Sequence, residues 1–201
     1  MVGQYFLDQC FNTPVEKDPW PYQILENSLP IKSFEKLRKS CEPFLKSIDT
    51  LVHVHPSQFK EHNIDWYDEM YDLGNSILNN AKKLVELYPN YRWFDKLSLN
   101  GHISITPPLP YKFHIHQEGL DKIWSSVTYI TPEENIGTKM YTTEQQESFV
   151  KEAEWKPNNT FIFCGEQGKT WHSYESGKDT CRITLNFFLM KDSLKNYLRQ
   201  Q

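Results

Sequence analysis

The chain has 201 residues with 22 Lys and Arg against 26 Asp and Glu, and a formal net charge of −4 that leaves no basic stripe for a nucleic-acid backbone. Its length suits a single domain over residues 1–201, and a hydrophobic fraction of 38% with 14% aromatics is enough for one sizeable core. No apolar run reaches the ~18 residues of a membrane span, and the start lacks the basic and apolar regions of a signal peptide. Cys10, Cys41, Cys164 and Cys181 show no C-x-x-C spacing, so a soluble, cytoplasmic protein with free thiols is expected, without a membrane partner.

In chain order, residues 1–30 mix Pro14, Pro19, Pro21 and Pro30 with aromatics, which predicts extended edge strand and turns, with residues 20–25 docking as a strand. A helical pattern starts at Ser33, read as its N-cap, and runs through Leu37, Cys41 and Leu45, with Pro43 kinking or splitting it. His53 and His55 make a histidine pair, but no acid accompanies them at ligand spacing, so a metal site there is not expected. The strongest helix is predicted over residues 65–88, where Trp66, Met70, Leu73, Ile77, Ala81 and Leu84 recur at three and four. Asp65 would cap it and Pro89-Asn90 would stop it. Residues 1–95 therefore read as helical support with one strand.

Beyond Arg92 the texture is that of strands. Residues 96–105 alternate with period two, and short apolar runs follow at 111–115, 124–130, 139–141, 160–164 and 181–190. Turn residues separate them. The fold class predicted is mainly β with N-terminal helices, residues 96–190 forming a jelly roll of two sheets around a pocket. The polar, acidic insert at 142–156 is expected to be a mobile lid.

Two histidines, a carboxylate and an arginine are spread over these strands. His116 and Glu118 are two apart, so on an extended segment both leave one face, and His172 on a returning strand completes a two-His-one-carboxylate set for Fe(II). His114 competes with His116, but only His116 has a carboxylate two residues on. Ten residues past His172, Arg182 supplies a planar charged fork for a distal carboxylate, and Thr184 on the same strand face adds a hydroxyl. Each also has a bland reading: His172 in a packed aromatic corner, Arg182 and Lys122 solvated, Tyr129 in the core.

In this order of residues the chain resembles the Fe(II)/2-oxoglutarate-dependent dioxygenases, and within them the small prolyl-4-hydroxylase-like branch. The likeness rests on His116-Gln117-Glu118, Lys122, the 127–132 strand ending in Pro132, Gly137-Thr138, His172 and Arg182. It covers roughly residues 97–190. Glu118 stands where Asp is commoner. The resemblance implies a double-stranded β-helix in which His116, Glu118 and His172 hold Fe(II). Arg182 and Thr184 would anchor 2-oxoglutarate, with a second hydrogen bond from Tyr129, and O2 would oxidise co-substrate and substrate together. Hydroxylation of a protein side chain, prolyl first, or of a small metabolite is expected ahead of nucleobase oxidation. The alternative is a non-catalytic, cupin-like ligand-binding module, for which a full ligand set and the arginine would be superfluous.

Overall fold

The computed structural model describes residues 1–46 and 48–191. Four helices come mostly first: α1 (Val2–Asn12), α2 (Ile31–Cys41), α3 (Tyr67–Asn79) and α4 (Ala81–Val85). Ten strands are β1 (Tyr22–Leu25), β2 (Val52–Val54), β3 (Leu97–Thr106), β4 (Lys112–His116), β5 (Lys122–Thr131), β6 (Thr138–Tyr141), β7 (Phe149–Ala153), β8 (Thr160–Phe163), β9 (Trp171–Glu175) and β10 (Arg182–Lys191). They form two antiparallel sheets, a major one ordered β1-β8-β5-β10-β3-β2 and a minor one ordered β4-β9-β6-β7.

Strand alternation decides what each face of the major sheet does. On β10 the odd-numbered Ile183, Leu185, Phe187 and Leu189 point outward into the main core, where α1, α2 and α3 cover them. Burying each such side chain contributes roughly 2 kcal/mol. The even-numbered residues face the minor sheet and are free for chemistry. The helices therefore back the sheet that carries the site.

Several local expectations are corrected. Residues 2–12 are helical, because the prolines begin only at Pro14 and Val2, Phe6, Leu7 and Cys10 make one buried stripe against α3. The next helix starts at Ile31 behind Pro30, so Ser33 is not its cap, and it tightens into a 3-10 turn at Glu42–Leu45 beside Pro43. The long helix begins at Tyr67 without a side-chain cap from Asp65 and breaks at Asn80, whose amide donates to the Ser76 carbonyl at 3.0 Å and so competes with the backbone ladder. The 142–156 insert is not a loose lid: residues 149–153 are β7, paired with β6, and Trp155 is buried with its indole N–H on the Pro132 carbonyl at 2.9 Å.

Gly137 explains itself in this setting. A Cβ there would lie 1.8 Å from the Ala153 carbonyl oxygen, so only glycine lets β7 approach the start of β6. Gly137→Ala should cost roughly 3 kcal/mol, read as a lower urea midpoint with unchanged slope.

Candidate active site

The sheets enclose a cavity of about 200 Å³. Its floor is β10, from which Arg182, Thr184, Asn186 and Phe188 line it in turn. Thr106, Ser104 and His102 of β3, the antiparallel neighbours of Arg182, Thr184 and Asn186, extend that floor. From the minor sheet come Phe113, His116, His172 and Tyr174, and Glu118 closes one side.

A register irregularity decides which of His114 and His116 faces the cavity. Regular strands present alternate residues, yet Phe113 and His116, three apart, both line the cavity because the β4–β9 ladder shifts between them. His114 is turned out, exposed and stacked on Phe113. His116 pairs in register with His172, their ring centroids 4.2 Å apart.

Both imidazoles are held in one tautomer. Nδ1 of His116 lies 3.0 Å from the His114 carbonyl, and Nδ1 of His172 lies 3.0 Å from the Thr170 carbonyl. A carbonyl only accepts, so each Nδ1 carries the proton and each neutral ring keeps its lone pair on Nε2. Burial and the neighbouring His172 push the His116 pKa down to about 4, and burial lowers that of His172 as well. Backbone-oriented, neutral imidazoles are the form in which histidine ligates metals.

Glu118 is placed differently from the expectation. The strand ends at His116, so Glu118 sits in the connection to β5, where its Oε1 accepts from Ser125 and its Oε2 from Lys122, both at 2.9 Å. Burial would raise its pKa, but His172, the Lys122 ammonium and these hydrogen bonds outweigh that and keep it ionised. Lys122 is no solvated surface lysine: besides this pair its ammonium lies 4.0 Å from the Phe188 ring centroid. Among the described residues no three His, Cys, Asp or Glu side chains already stand in ion-binding geometry, the carboxylate being turned to β5. The donor chemistry nevertheless fits Fe(II): two imidazoles with free Nε2 and a carboxylate whose oxygens each retain a lone pair.

At the deep end Arg182 is 2% exposed, and among the described residues no carboxylate forms an ion pair with it. Its Nη2 has no hydrogen-bond partner, nor has the buried hydroxyl of its register neighbour Thr106. The guanidinium is boxed by Trp155, Tyr174 and Tyr129, with ring centroids at 4.9, 5.0 and 5.6 Å. Its Nε donates to the Ile136 carbonyl at 3.4 Å, but a buried charge without a carboxylate partner is costly, so this end suits an anion. Tyr129 offers it only a ring face: its hydroxyl donates to Ala153 or Thr138 at 3.2 and 3.0 Å and accepts from the Thr138 N–H at 3.1 Å, in place of the expected bond to a co-substrate.

Several solved structures of the same shape carry prolyl hydroxylase names. A prolyl-4-hydroxylase from Pseudomonas putida aligns over 96% of this chain and 100% of its own with a TM-score of 0.54 and 14% identity. A Trichoplax adhaerens prolyl hydroxylase, in complex with a hypoxia inducible factor oxygen degradation domain peptide fragment, covers 94% and 88% with a TM-score of 0.60 and 9% identity. The chain has the prolyl-4-hydroxylase fold. A viral collagen prolyl hydroxylase from Paramecium Bursaria Chlorella virus-1, solved as a 2OG complex, has a TM-score of 0.56 at 13% identity over 88% of this chain and 99% of that one. No family model matches the sequence, and no curated protein matches it. Among the described residues no helix is long and apolar enough to cross a membrane.

Within this prolyl-4-hydroxylase fold, Thr106, Trp155, Tyr174, Asn186 and His102 were not singled out from the sequence, although alternation along β3 and β10 puts three of them on the inner face. His102 lies 4.5 Å from His53 and 5.4 Å from His55 between ring centroids. Burial, then the fields of His53, His55 and Lys122, bring its pKa from 6.5 to about 3. The unfolded chain thus takes up a proton that the folded one refuses. Stability from this group is present above pH 6.5 and is lost as pH falls toward the folded value, by on the order of 1 kcal/mol per pH unit. Urea midpoints of His102→Gln should fall less steeply than those of the wild type between pH 6.5 and about 4.

Proposed function

We propose that the chain is an Fe(II)- and 2-oxoglutarate-dependent oxygenase that hydroxylates a protein side chain, prolyl first, or a small metabolite. The observation that carries this is Arg182, a buried, unpaired guanidinium in the same cavity as two imidazoles with free Nε2. His116, His172 and Glu118 would hold the metal, and Arg182 with the Thr106 and Thr184 hydroxyls would take the distal carboxylate of 2-oxoglutarate. When bound, Fe(II) with 2-oxoglutarate and O2 supplies an oxidative decarboxylation coupled to hydroxylation of the substrate.

The chain's own groups do the rest. Lys122 and Ser125 keep Glu118 ionised. Trp155, Tyr174 and Tyr129 exclude water from the guanidinium, which strengthens its hold on a carboxylate. Phe113 stacked on Tyr174 at 4.9 Å, with Tyr111 beyond, supports a peptidic or apolar substrate, and the net charge of −4 disfavours a polyanion. Purified protein given Fe(II), O2 and 2-oxoglutarate should form succinate, and a peptide panel should yield a +16 Da product. Absence of succinate together with absence of metal binding would return the fold to a non-catalytic role.

A further inference from the structure

Next to the metal-facing histidines lies a polar corner that neither the metal set nor the arginine uses. It is formed where β2, β3 and β10 run side by side: His53 is the register partner of Ser104, and His102 that of Asn186. The side chains are chained together. The Asn186 amide donates to the Ser104 hydroxyl at 2.6 Å, and Ser104 lies 2.9 Å from Nδ1 of His53. At the end of the chain the Asn186 Oδ1 is buried and has no partner, while the residue lines the cavity between Thr184 and Phe188. His102 has its Nδ1 3.4 Å from the Asn100 side-chain oxygen, an acceptor, which leaves Nε2 as a second lone pair.

Among the described residues that line the cavity, no Lys, Arg, Asp or Glu is free to serve this corner. Lys122, the ammonium nearest to it in the cavity, is spent on Glu118. Arg182 lies two residues beyond Thr184 at the opposite end of the floor. A carboxylate placed here would meet the orphaned Asn186 carbonyl oxygen and the His102 Nε2 lone pair, and an ammonium would lose hydration without an anionic partner. What the corner does satisfy is an uncharged N–H or O–H. Resting on the oxygenase reading above, we infer that His53, His102, Ser104 and Asn186 form a substrate-selecting subsite that takes a neutral hydrogen-bond donor, of the carboxamide or peptide-amide type, and rejects free carboxylates and ammonium groups.

Three small probes on one ring, differing only in the group at one position, separate the possibilities: N-acetylprolinamide, a neutral carboxamide, N-acetylproline, a carboxylate, and 1-acetyl-2-(aminomethyl)pyrrolidine, an ammonium. Their dissociation constants would be measured by ligand-observed NMR on protein loaded with Zn(II) and 2-oxoglutarate, and again on metal-free protein. N-acetylprolinamide should bind about tenfold tighter than either charged probe. Asn186→Leu should erase that preference, and Asn186→Asp should move it about tenfold toward the aminomethyl probe by supplying the missing anion. Equal binding of the three probes, no binding of any, or an order unchanged in Asn186→Asp would overturn the inference. Loading is followed separately by calorimetry, so failure to take up Zn(II) or 2-oxoglutarate counts against the oxygenase reading, while the ranking on metal-free protein still decides the subsite.

Discussion

His172→Ala is expected to abolish productive metal binding and with it 2-oxoglutarate turnover, by about three orders of magnitude or more. The ring is buried and meets His116 at 4.2 Å, and Phe163 stands edge-on to it at 4.9 Å between centroids. Removing it deletes one Nε2 donor and leaves a void, so a modest loss of stability of roughly 2 kcal/mol accompanies the loss of metal. Calorimetric titration with Mn(II), alongside a thermal melt, separates the two effects. His114→Ala is the matched control. That ring is exposed and outside the cavity, so metal affinity should stay within about twofold of wild type. Metal binding that survived His172→Ala but not His114→Ala would reverse the assignment.

Arg182→Met should have two effects of opposite sign. Affinity for 2-oxoglutarate should fall by about 100-fold, since two charge-assisted hydrogen bonds to a carboxylate disappear in a dry site, while Mn(II) still binds. Stability of the ligand-free protein should rise by on the order of 1 kcal/mol, because an unpaired buried cation is exchanged for an apolar side chain of similar length. Thermal melts with and without 2-oxoglutarate test both at once. The wild type should be stabilised by the co-substrate and the variant should not. A variant that melts well below ligand-free wild type would mean that the guanidinium is already compensated by its surroundings.

How much of this was legible in the sequence depended on whether a residue's neighbours were local. Period-two alternation located β3, and short apolar runs between turn residues located β5 and β10, each to within about two residues, while the order of His116, Glu118, His172 and Arg182 pointed to a fold that the solved prolyl hydroxylases share. His116 was preferred to His114 for its spacing to Glu118, but the structural cause is a ladder irregularity that no spacing rule contains. Lys122 and Tyr129 were weighed as a solvated and a core residue. Their actual partners, Glu118 four residues back and Arg182 across the sheet, appear only once the strands pair. The α1 helix was obscured by prolines that belong to the next segment, and β7 by the polar run at 142–148 that precedes it and by Lys151-Glu152 within it.

The position of Glu118 in the connection to β5, away from the strand of His116, has a mechanical side. The minor sheet supplies both imidazoles from its edge strand β4 and the adjoining β9, and β4 has a neighbour on one side only. Glu118 is instead tethered to the major sheet through Ser125 and Lys122, and to the 165–168 turn through the Gln167 amide on its carbonyl at 2.8 Å. The proposed ligand set, shared in this way, would work as a cross-brace. An ion joining His116, His172 and Glu118 would rivet the unsupported margin of one layer to the centre of the other, so backbone amides of β4 should exchange with solvent far more slowly in the metal-loaded protein than in the metal-free one.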